Sequence, residues 1–600
     1  GLDGHYSQVL MNSRPVFSAL AGVYGLEQIP ANMIDRVEVV RGGGSALFGA
    51  SAIGGTINVI TKEPLRNSAE GSHTLMNIAG TSVFDNTTSA NASIVTDDNR
   101  AGMAVYAQSR YRQAYDHDND GYTEIPLMRN KTIGFNSYLR LSPYSKLSLQ
   151  YNGINEFRRG GNKFDLEPFE TDITEQTKHV INSGGLTYDL FWKEYKHKLS
   201  FYTSAQHVDR NSYYGAQQDP NAYGKTQDLT FVGGGMYVGN FDQVLFSPAT
   251  FTAGLEYSHN NMHDIMAGYN RDLEQKVRIA SAFFQNEWKM NDFTLLAGFR
   301  LDDHNLIENL IFSPRVNLLY KPSDALQGRL TWSTGFRAPQ AYDEDLHITA
   351  VGGEGVLIHL ADGLKPEKSN SFSGSVDLSG QIGHFQTNLL IEGFYTSLKD
   401  VFYLQNVGVD AQGNTLQERR NGSGAKVYGV NLDGKIAHGK DASLQVGFTV
   451  QRSRYDEMTF WSEDESVAGT KNMPRTPDCY GYFTFTAAPF KNFDFSLSGV
   501  YTGRMHVPHF APTDEIPAGF PYTYINKDEL VHTPDFFDFN TKLNYTFVLN
   551  EHLKIQINGG VQNIFNAFQK DLDKGTYRDS GYFYGPTQPR TYFIGIKLFN

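Results

Sequence analysis

Residues 29–62 read IPANMIDRVEVVRGGGSALFGASAIGGTINVITK, and this stretch decides the fold. Val37, Val39 and Val40 form a short β-branched run, a composition that favours a strand. Residues 42–44 are three successive glycines, whose backbone freedom ends that strand. Residues 56–61 then read as a second strand. The stretch therefore predicts a compact sheet jointed by glycines.

These glycines do not form a phosphate-binding loop. A dinucleotide-binding fingerprint needs glycine at positions 42, 44 and 47, but the third of these positions is Leu47. A Walker loop needs lysine directly after its second glycine, whereas Gly49 is followed by Ala50. The sequence therefore excludes both common nucleotide-binding loops at this position.

The same stretch resembles the second half of the plug domain of TonB-dependent outer-membrane transporters, from IPANMIDRVEVVRGGGSALFG through AIGGTINVITKEP. The resemblance implies an all-β chain: a 22-stranded antiparallel transmembrane β-barrel with a plug domain, partial here, inside its lumen. Residues 1–64 would be the C-terminal part of the plug and residues 65–600 the barrel. It further implies a multi-pass location in the outer membrane of a Gram-negative bacterium, and energy from the TonB–ExbB–ExbD complex.

Composition agrees with a barrel and excludes other classes. Aromatic residues make up 13% of the 600 residues, and mean hydropathy is −0.41. No run approaches the ~18 consecutive apolar residues of a membrane helix. The single cysteine, Cys479, excludes an intramolecular disulfide, and a net charge of −13 argues against nucleic acid as a partner. Outer-membrane lipid is the expected surrounding of such a chain.

Residues from about 70 onward alternate with period two, as in residues 251–258, 444–451 and 493–498. One apolar and one polar face suits a wall between lipid and water, although a soluble β-sandwich shows the same alternation. The number of strands decides between the two. About 530 residues at roughly 24 residues per strand and connection allow some 22 strands, the size of a plugged outer-membrane barrel. The final segment, residues 590–600, reads as the closing strand.

Connections of two lengths are predicted. Short ones at residues 143–145 and 322–324 suit periplasmic turns, and long ones suit extracellular loops that contact ligands. The long connections are predicted at residues 111–131, 156–182, 209–228, 338–368, 404–425, 456–478 and 502–535.

An acidic loop offers a candidate metal site. Asp116, Asp118 and Asp120 precede Gly121 with the alternate spacing of a calcium-binding loop. The usual closing glutamate is absent, because the twelfth position is Leu127, although Glu124 could take its place. Some transporters of the resembled family bind calcium in such loops. The alternative is an acidic turn between two strands without an ion.

Residues 16–26 form an apolar loop without charge, which suits a large ligand of mixed polarity. By resemblance this loop is the plug apex, and in cobalamin transporters of the family the same segment contacts the corrinoid. Residues 158–177 and 336–348 also resemble cobalamin receptors of Bacteroides-type gut bacteria. The ligand-binding residues expected from this resemblance are Ser18, Ala19, Leu20, Val23, Tyr24, Gly25, Leu26, Gln340, Tyr342 and His347.

The expected function is active import of vitamin B12 or a related corrinoid, with a surface-exposed lipoprotein as a further candidate partner. The alternative is a haem importer, or a siderophore or metal-chelate importer, of the same family. Phe336-Arg-Ala-Pro and Leu364-Lys-Pro-Glu resemble the paired boxes of haem receptors, and His347 and His359 lie between them as candidate iron ligands. A passive porin is disfavoured because it has no separate plug. An enzyme is disfavoured because neither a Gly-x-Ser-x-Gly elbow nor a His-Glu-x-x-His pattern occurs.

Overall fold

The structure is a computed structural model. It describes residues 6–15, 29–41, 49, 52–340, 356–411, 413–464, 466–513 and 515–600. Three short 3-10 helices occur in this part of the chain, at Ala31–Met33, Pro168–Glu170 and Ala267–Tyr269. Within the same ranges, no helix has the length and apolar character needed to cross a membrane.

A small N-terminal sheet is formed by β1 (Ser7–Met11), β2 (Ile34–Arg41) and β3 (Gly55–Thr61). β3 lies in the middle, parallel to β1 and antiparallel to β2. The two strands that the sequence predicts are therefore present and paired with each other. Gly55 has a φ of 142°, and a Cβ there would lie 2.5 Å from the Val40 carbonyl oxygen. Only glycine fits this close approach without strain.

In the described part of the chain, twenty-two long strands form the main sheet. They are β4 (Ser68–Ile78), β5 (Phe84–Val95), β6 (Ala101–Arg112), β7 (Leu127–Ser142), β8 (Ser145–Gly161), β9 (Ile173–Trp192), β10 (His197–Ala216), β11 (Tyr223–Val244), β12 (Ser247–Met266), β13 (Arg271–Met290), β14 (Phe293–His304), β15 (Ile311–Tyr320), β16 (Leu326–Arg337), β18 (Glu367–Ile382), β19 (Phe385–Lys399), β22 (Ala425–His438), β23 (Ala442–Thr459), β25 (Cys479–Phe490), β26 (Phe493–Thr502), β29 (Phe536–Asn550), β30 (Leu553–Gln562) and β31 (Thr591–Phe599).

The main sheet closes on itself. β31 pairs antiparallel with β4, with Ile594 opposite Leu75, and every other neighbouring pair is also antiparallel. A three-residue segment, β24 (Thr470–Asn472), is inserted at the rim beside β23. The predicted 22-stranded antiparallel barrel is therefore confirmed.

The alternating apolar and polar residues of the strands lie on the outer and inner faces of the barrel wall, respectively. On β12, Leu255 and Tyr257 are 67% and 43% exposed on the outer face, whereas Glu256 is directed inward. On β31, Ile594 and Ile596 are likewise 59% and 45% exposed. Apolar side chains on the outside and polar ones inside are the arrangement of a barrel in lipid, not of a sandwich with a dry core.

The two ends of the barrel differ in their connections. The turns at one end, called the turn end, have five residues or fewer, as at 143–144 and 321–325. The other end, called the loop end, carries all the long connections. They include residues 113–126, 162–172, 338–366, 400–424, 460–478, 503–535 and 563–590.

Several predicted loop boundaries are wrong. Strands β8 to β11 extend well beyond the predicted limits, so the loops predicted at 156–182 and 209–228 shorten to 162–172 and 217–222. The long connection 563–590 was not predicted at all. Two further small sheets lie within the loops: β17 (Val356–Leu360) with β21 (Thr415–Asn421) and β20 (Phe402–Val409), and β27 (His506–His509) with β28 (Glu529–His532).

The N-terminal sheet lies inside the barrel, because the sheet and its flanking residues contact two separate stretches of the wall, from β5 to β10 and from β18 to β22. Asn32 donates to Asn91 on β5 at 3.1 Å, and Asn12 donates to Gln150 on β8 at 2.5 Å. The other contacts are Asn136 of β7 with the Lys62 carbonyl, Tyr202 of β10 with Arg14, Glu367 of β18 with Tyr6, and Glu392 and Asp433 of β19 and β22 with Arg41.

We expect Gly55→Ala to loosen the N-terminal sheet and leave the barrel intact. The left-handed backbone and the clash with the Val40 carbonyl should cost about 1–3 kcal/mol. Hydrogen exchange of residues 34–61 reports this loss. The matched control is Gly393→Ala on β19, where an added Cβ meets no atom within 4 Å. Equal protection of residues 34–61 in both variants would contradict the expectation.

Candidate functional site

The expected ligand-binding residues fall in two segments, of which the structure describes only part. Ser18, Ala19, Leu20, Val23, Tyr24, Gly25 and Leu26 lie outside the described residues, and so do Tyr342 and His347. Gln340 is half-buried and lies three residues beyond the end of β16. His359 is exposed on β17, opposite Glu418 of β21. Of these candidates, only Gln340 and His359 can thus be placed.

Both flanks of the uncharged segment are held inside the barrel. On one side, the Arg14 guanidinium lies 3.4 Å from the centre of the Tyr202 ring of β10. On the other side, Ile29 is 8% exposed and packs in an apolar cluster with Met33 of the first 3-10 helix, Val59 of β3 and Tyr106 of β6. The described residues on the two sides of this segment, Arg14 and Ile29, are therefore both held within the lumen.

Tyr202, which contacts Arg14, is hydrogen-bonded to a network of buried charged side chains in the barrel wall. The Tyr202 hydroxyl donates to Glu256 at 2.7 Å, and Arg300 donates to the other oxygen of Glu256 at 2.9 Å. Arg300 also donates to Asp302 at 2.8 Å. Breaking one member of such a buried network leaves an uncompensated charge, at a cost of about 3–5 kcal/mol. This network therefore holds the N-terminal sheet to one side of the barrel.

A second anchor joins the two boxes that resemble those of haem receptors. Strand pairing places Arg337 of β16 opposite Glu367 of β18, with an ion pair of 3.4 Å. Glu367 is fully buried and also accepts from the Tyr6 hydroxyl at 3.2 Å and the Phe402 amide at 2.6 Å. Burial and the Glu367 carboxylate both raise the pKa of Tyr6, so its hydroxyl remains a donor. The boxes thus link the wall, a loop and the N-terminal sheet.

The predicted acidic cluster is assembled by the structure. Asp116, Asp118 and Asp120 each present a carboxylate oxygen within 4.8 Å of the others. Asp116 accepts from the Gly121 amide at 2.8 Å, which holds the turn. Both carboxylate oxygens of Asp118 are buried and accept no hydrogen bond. Burial, helped by the Asp120 carboxylate, raises the pKa of Asp118.

The unpredicted loop 563–590 supplies cations to this cluster. Arg578 pairs with Asp120 and, at 3.0 Å, with Glu124, while the Gly575 amide donates to Asp120 at 2.6 Å. Lys574 lies 3.6 Å from Asp118. Glu124 is thus engaged by Arg578 and does not close the cluster as a fourth acidic ligand. We call the contact between residues 113–126 and 563–590 the loop clamp.

A histidine joins loop 563–590 to loop 503–535. His509 pairs with Asp573 at 2.9 Å, and its ring stacks on Tyr582 with a centroid distance of 3.8 Å. The Tyr582 hydroxyl donates to Asp571 at 2.7 Å. Burial opposes the charged imidazolium, but the hydrogen bond to Asp573 and the surrounding carboxylates outweigh it and raise the pKa of His509. The long loops on this side therefore form one connected assembly.

Sequence reasoning missed Arg578, His509 and their partners. Residues 570–579, KDLDKGTYRD, alternate acidic and basic side chains, and this charge pattern was the available signal. The pairing of Arg337 with Glu367 follows from strand register, which alternation alone does not determine.

Comparison with known proteins gives one family match for the barrel strands and another for the N-terminal residues. Residues 84–564 match the family described as "TonB dependent receptor-like, beta-barrel", and residues 1–56 match the "TonB-dependent Receptor Plug Domain". The iron-regulated outer membrane virulence protein of Vibrio cholerae is 27% identical over 466 residues, which are 75% of this chain and 66% of that protein. This chain thus spans about two thirds of that relative.

Two further similar proteins carry names with different ligands. The vitamin B12 transporter BtuB of Vibrio vulnificus is 22% identical over 537 residues, which are 86% of this chain and 76% of that protein. The crystal structure of the siderophore receptor PirA from Acinetobacter baumannii has a TM-score of 0.77 at 16% identity, and the match covers 100% of this chain and 91% of that chain. At that identity, the second similarity shows a shared fold alone.

We expect the contact between loops 503–535 and 563–590 to weaken as pH rises. Because the folded-state pKa of His509 is raised, its stabilising effect is complete below the ordinary histidine pKa of about 6.5 and is lost as pH rises through the raised value. Hydrogen exchange of residues 570–584, corrected for its intrinsic pH dependence, should show lower protection at pH 8 than at pH 6. In the variant His509→Gln this difference should disappear. Protection in the unmodified chain that does not change with pH would contradict the expectation.

Proposed function

The chain belongs to the family of TonB-dependent receptors, outer-membrane β-barrel transporters of Gram-negative bacteria rather than enzymes, and on that premise we propose that it imports vitamin B12 or a related corrinoid. Residues 1–64 serve as the plug and residues 65–600 as the barrel. The loop end faces outward to receive the ligand. Energy arrives through the TonB–ExbB–ExbD complex, which acts on the plug from the turn end.

The observation that carries this proposal is the uncharged segment 16–26 with both flanks anchored inside the barrel. Residues 16–26, VFSALAGVYGL, offer apolar side chains and backbone hydrogen-bonding groups but no charged side chain. Arg14 and Ile29 hold its flanks through the contacts with Tyr202 and the apolar cluster. A large neutral ligand of mixed polarity suits such a surface. Similarity to the vitamin B12 transporter of Vibrio vulnificus over 86% of the chain supports the same ligand class.

A ferric siderophore is the second candidate ligand, with haem as a third. The name of the Vibrio cholerae relative describes it as iron-regulated, which supports this candidate. For haem, the candidate iron ligands are His347 and His359. His359 is exposed on β17 and available for such a contact.

We also propose that the loop end takes two further partners. The acidic cluster is proposed to bind a structural calcium ion, because three carboxylates converge and the oxygens of Asp118 have no hydrogen-bond partner. A surface-exposed lipoprotein is proposed to cover the loops. Phe460 and Phe510 are 70% and 43% exposed there, and Trp461 lies 5.9 Å from the Phe510 ring, as expected of an aromatic contact surface.

Replacing both His347 and His359 by alanine should leave transport of the ligand nearly unchanged. A corrinoid brings its cobalt already ligated, whereas haem needs an axial ligand from the receptor. By contrast, Tyr24→Asp or Gly25→Arg should weaken binding at least about tenfold, because an apolar contact tolerates neither an unpaired charge nor added bulk. Growth on limiting vitamin B12, in a strain that depends on this transporter, measures all three variants. Absence of vitamin B12-dependent growth with the unmodified chain, together with haem-dependent growth that only the histidine variant loses, would assign the protein to haem.

Calcium should stabilise loop 113–126 if it binds there. At 100 times the dissociation constant, the ion should add about 2.7 kcal/mol to the free energy of opening this loop. Hydrogen exchange of residues 113–126 with calcium and with a chelator measures the difference. The difference should disappear in Asp118→Asn and persist in the control Asp165→Asn, which changes an exposed carboxylate in loop 162–172. Identical exchange in calcium and chelator would mean that the loop clamp acts without an ion.

A further inference from the structure

Charge is distributed unequally between the two ends of the barrel. The eleven connections of the loop end contain 30 Asp and Glu residues against 12 Lys and Arg residues. The ten connections of the turn end contain 7 and 6. The loop end therefore concentrates more negative charge than the chain carries in total, since the net charge of the whole chain is −13.

The basic side chains of the loop end are largely engaged in holding the loops. Arg578 neutralises Asp120 and Glu124, Lys163 pairs with Asp172 at 2.9 Å, and Arg420 pairs with Glu418. Others donate to backbone carbonyls: Lys471 to Asp456, Arg475 to Phe583, Lys527 to Ser466 and Arg590 to Ile564. These cations therefore contact protein oxygens, whereas Lys365, Arg504 and Lys570 are exposed basic side chains of the loop end for which no ion pair is seen within the described part of the chain.

Acidic side chains, in contrast, remain exposed on four different loops. Asp165, Glu308, Asp362 and Glu515 are all exposed in the described part of the chain. They lie on the connections 162–172, 305–310, 338–366 and 503–535, and so are distributed around the opening. A rim of one charge sign creates a potential that attracts ions of the opposite sign and repels those of the same sign.

We propose that this acidic rim selects cargo by charge: it admits neutral and cationic corrinoids or metal chelates and excludes polyanionic chelates such as ferric tris-catecholates. The inference rests on the proposed import function and narrows its substrate class. Recognition of a polyanion ordinarily uses unpaired Arg or Lys side chains. Here most of those side chains hold the loops, and in the described part of the loop end exposed carboxylates outnumber exposed Lys and Arg side chains.

Binding of charged probes to the purified full chain tests the proposal. The probes are neutral cyanocobalamin, a cationic ferrioxamine and a trianionic ferric tris-catecholate. At low ionic strength, the cationic chelate should associate at least about tenfold faster than the trianionic one, and added salt should reduce this ratio. Equal association rates and affinities for the two iron chelates would overturn the proposal.

A charge-reversed variant and its matched control sharpen the test. The loop-end variant combines Asp165→Lys, Glu308→Lys, Asp362→Lys and Glu515→Lys. The control combines Asp97→Lys, Glu194→Lys, Asp292→Lys and Glu551→Lys, which changes the net charge equally at exposed positions of the turn end. Association of the ferric tris-catecholate should accelerate in the loop-end variant and stay unchanged in the control. The same acceleration in both variants would mean that net charge, not the rim, governs binding.

A measurement without cargo separates this inference from the proposed function. Trp461 lies on loop 460–478, and the difference between the unmodified chain and Trp461→Phe isolates its fluorescence. Caesium should quench Trp461 several-fold more efficiently than iodide, relative to each ion's effect on free indole. Equal quenching would overturn the charge selection even if cobalamin binds. Preferential quenching by caesium, with binding of ferrioxamine but not cobalamin, would retain the charge selection and remove the corrinoid assignment.

Discussion

The antiparallel pairing of β31 with β4 is the contact on which the rest of the structure depends. In hydrocarbon an unpaired backbone amide or carbonyl costs several kcal/mol, so a membrane sheet must have no free edge. Closure removes both edges at once and creates an enclosed lumen. The polar faces of the strands line that lumen, and only there can the charged N-terminal sheet be accommodated.

The enclosed sheet is held by polar contacts and by two small apolar clusters that it shares with the wall. Arg14 on Tyr202, Tyr6 on Glu367 and Arg41 between Glu392 and Asp433 attach it at separate points of the wall. Each contact is directional and has discrete partners, unlike a continuous hydrophobic interface. The sheet can therefore be held in one position while remaining separable from the wall, which suits a transporter that must open a path.

The sequence was sufficient for the architecture but not for the contacts between loops. Alternation in residues 251–258 and the length of the chain correctly predict the barrel. The alternation of side chains depends only on neighbouring residues, and the number of strands follows from the total chain length. The predicted loop boundaries are wrong at β8 to β11, because these strands continue beyond the expected width of the membrane. Asp116, Asp118 and Asp120 were recognised as a cluster, but Arg578 was not, since 458 residues separate it from Asp120. The ligand residues 18–26 remain predictions.

The loop clamp also has a consequence for how the chain reaches this structure. Arg578 lies in the last connection of the barrel, and its partners Asp120 and Glu124 lie in the third. Contacts so distant in sequence form late, because the intervening chain must first be ordered. Until the final hairpin is in place, the acidic loop carries its mutual repulsion without a compensating cation. The loops around the opening are therefore fully paired only after the last strand, β31, has paired with the first strand of the barrel, β4. A partly assembled barrel lacks the loop clamp.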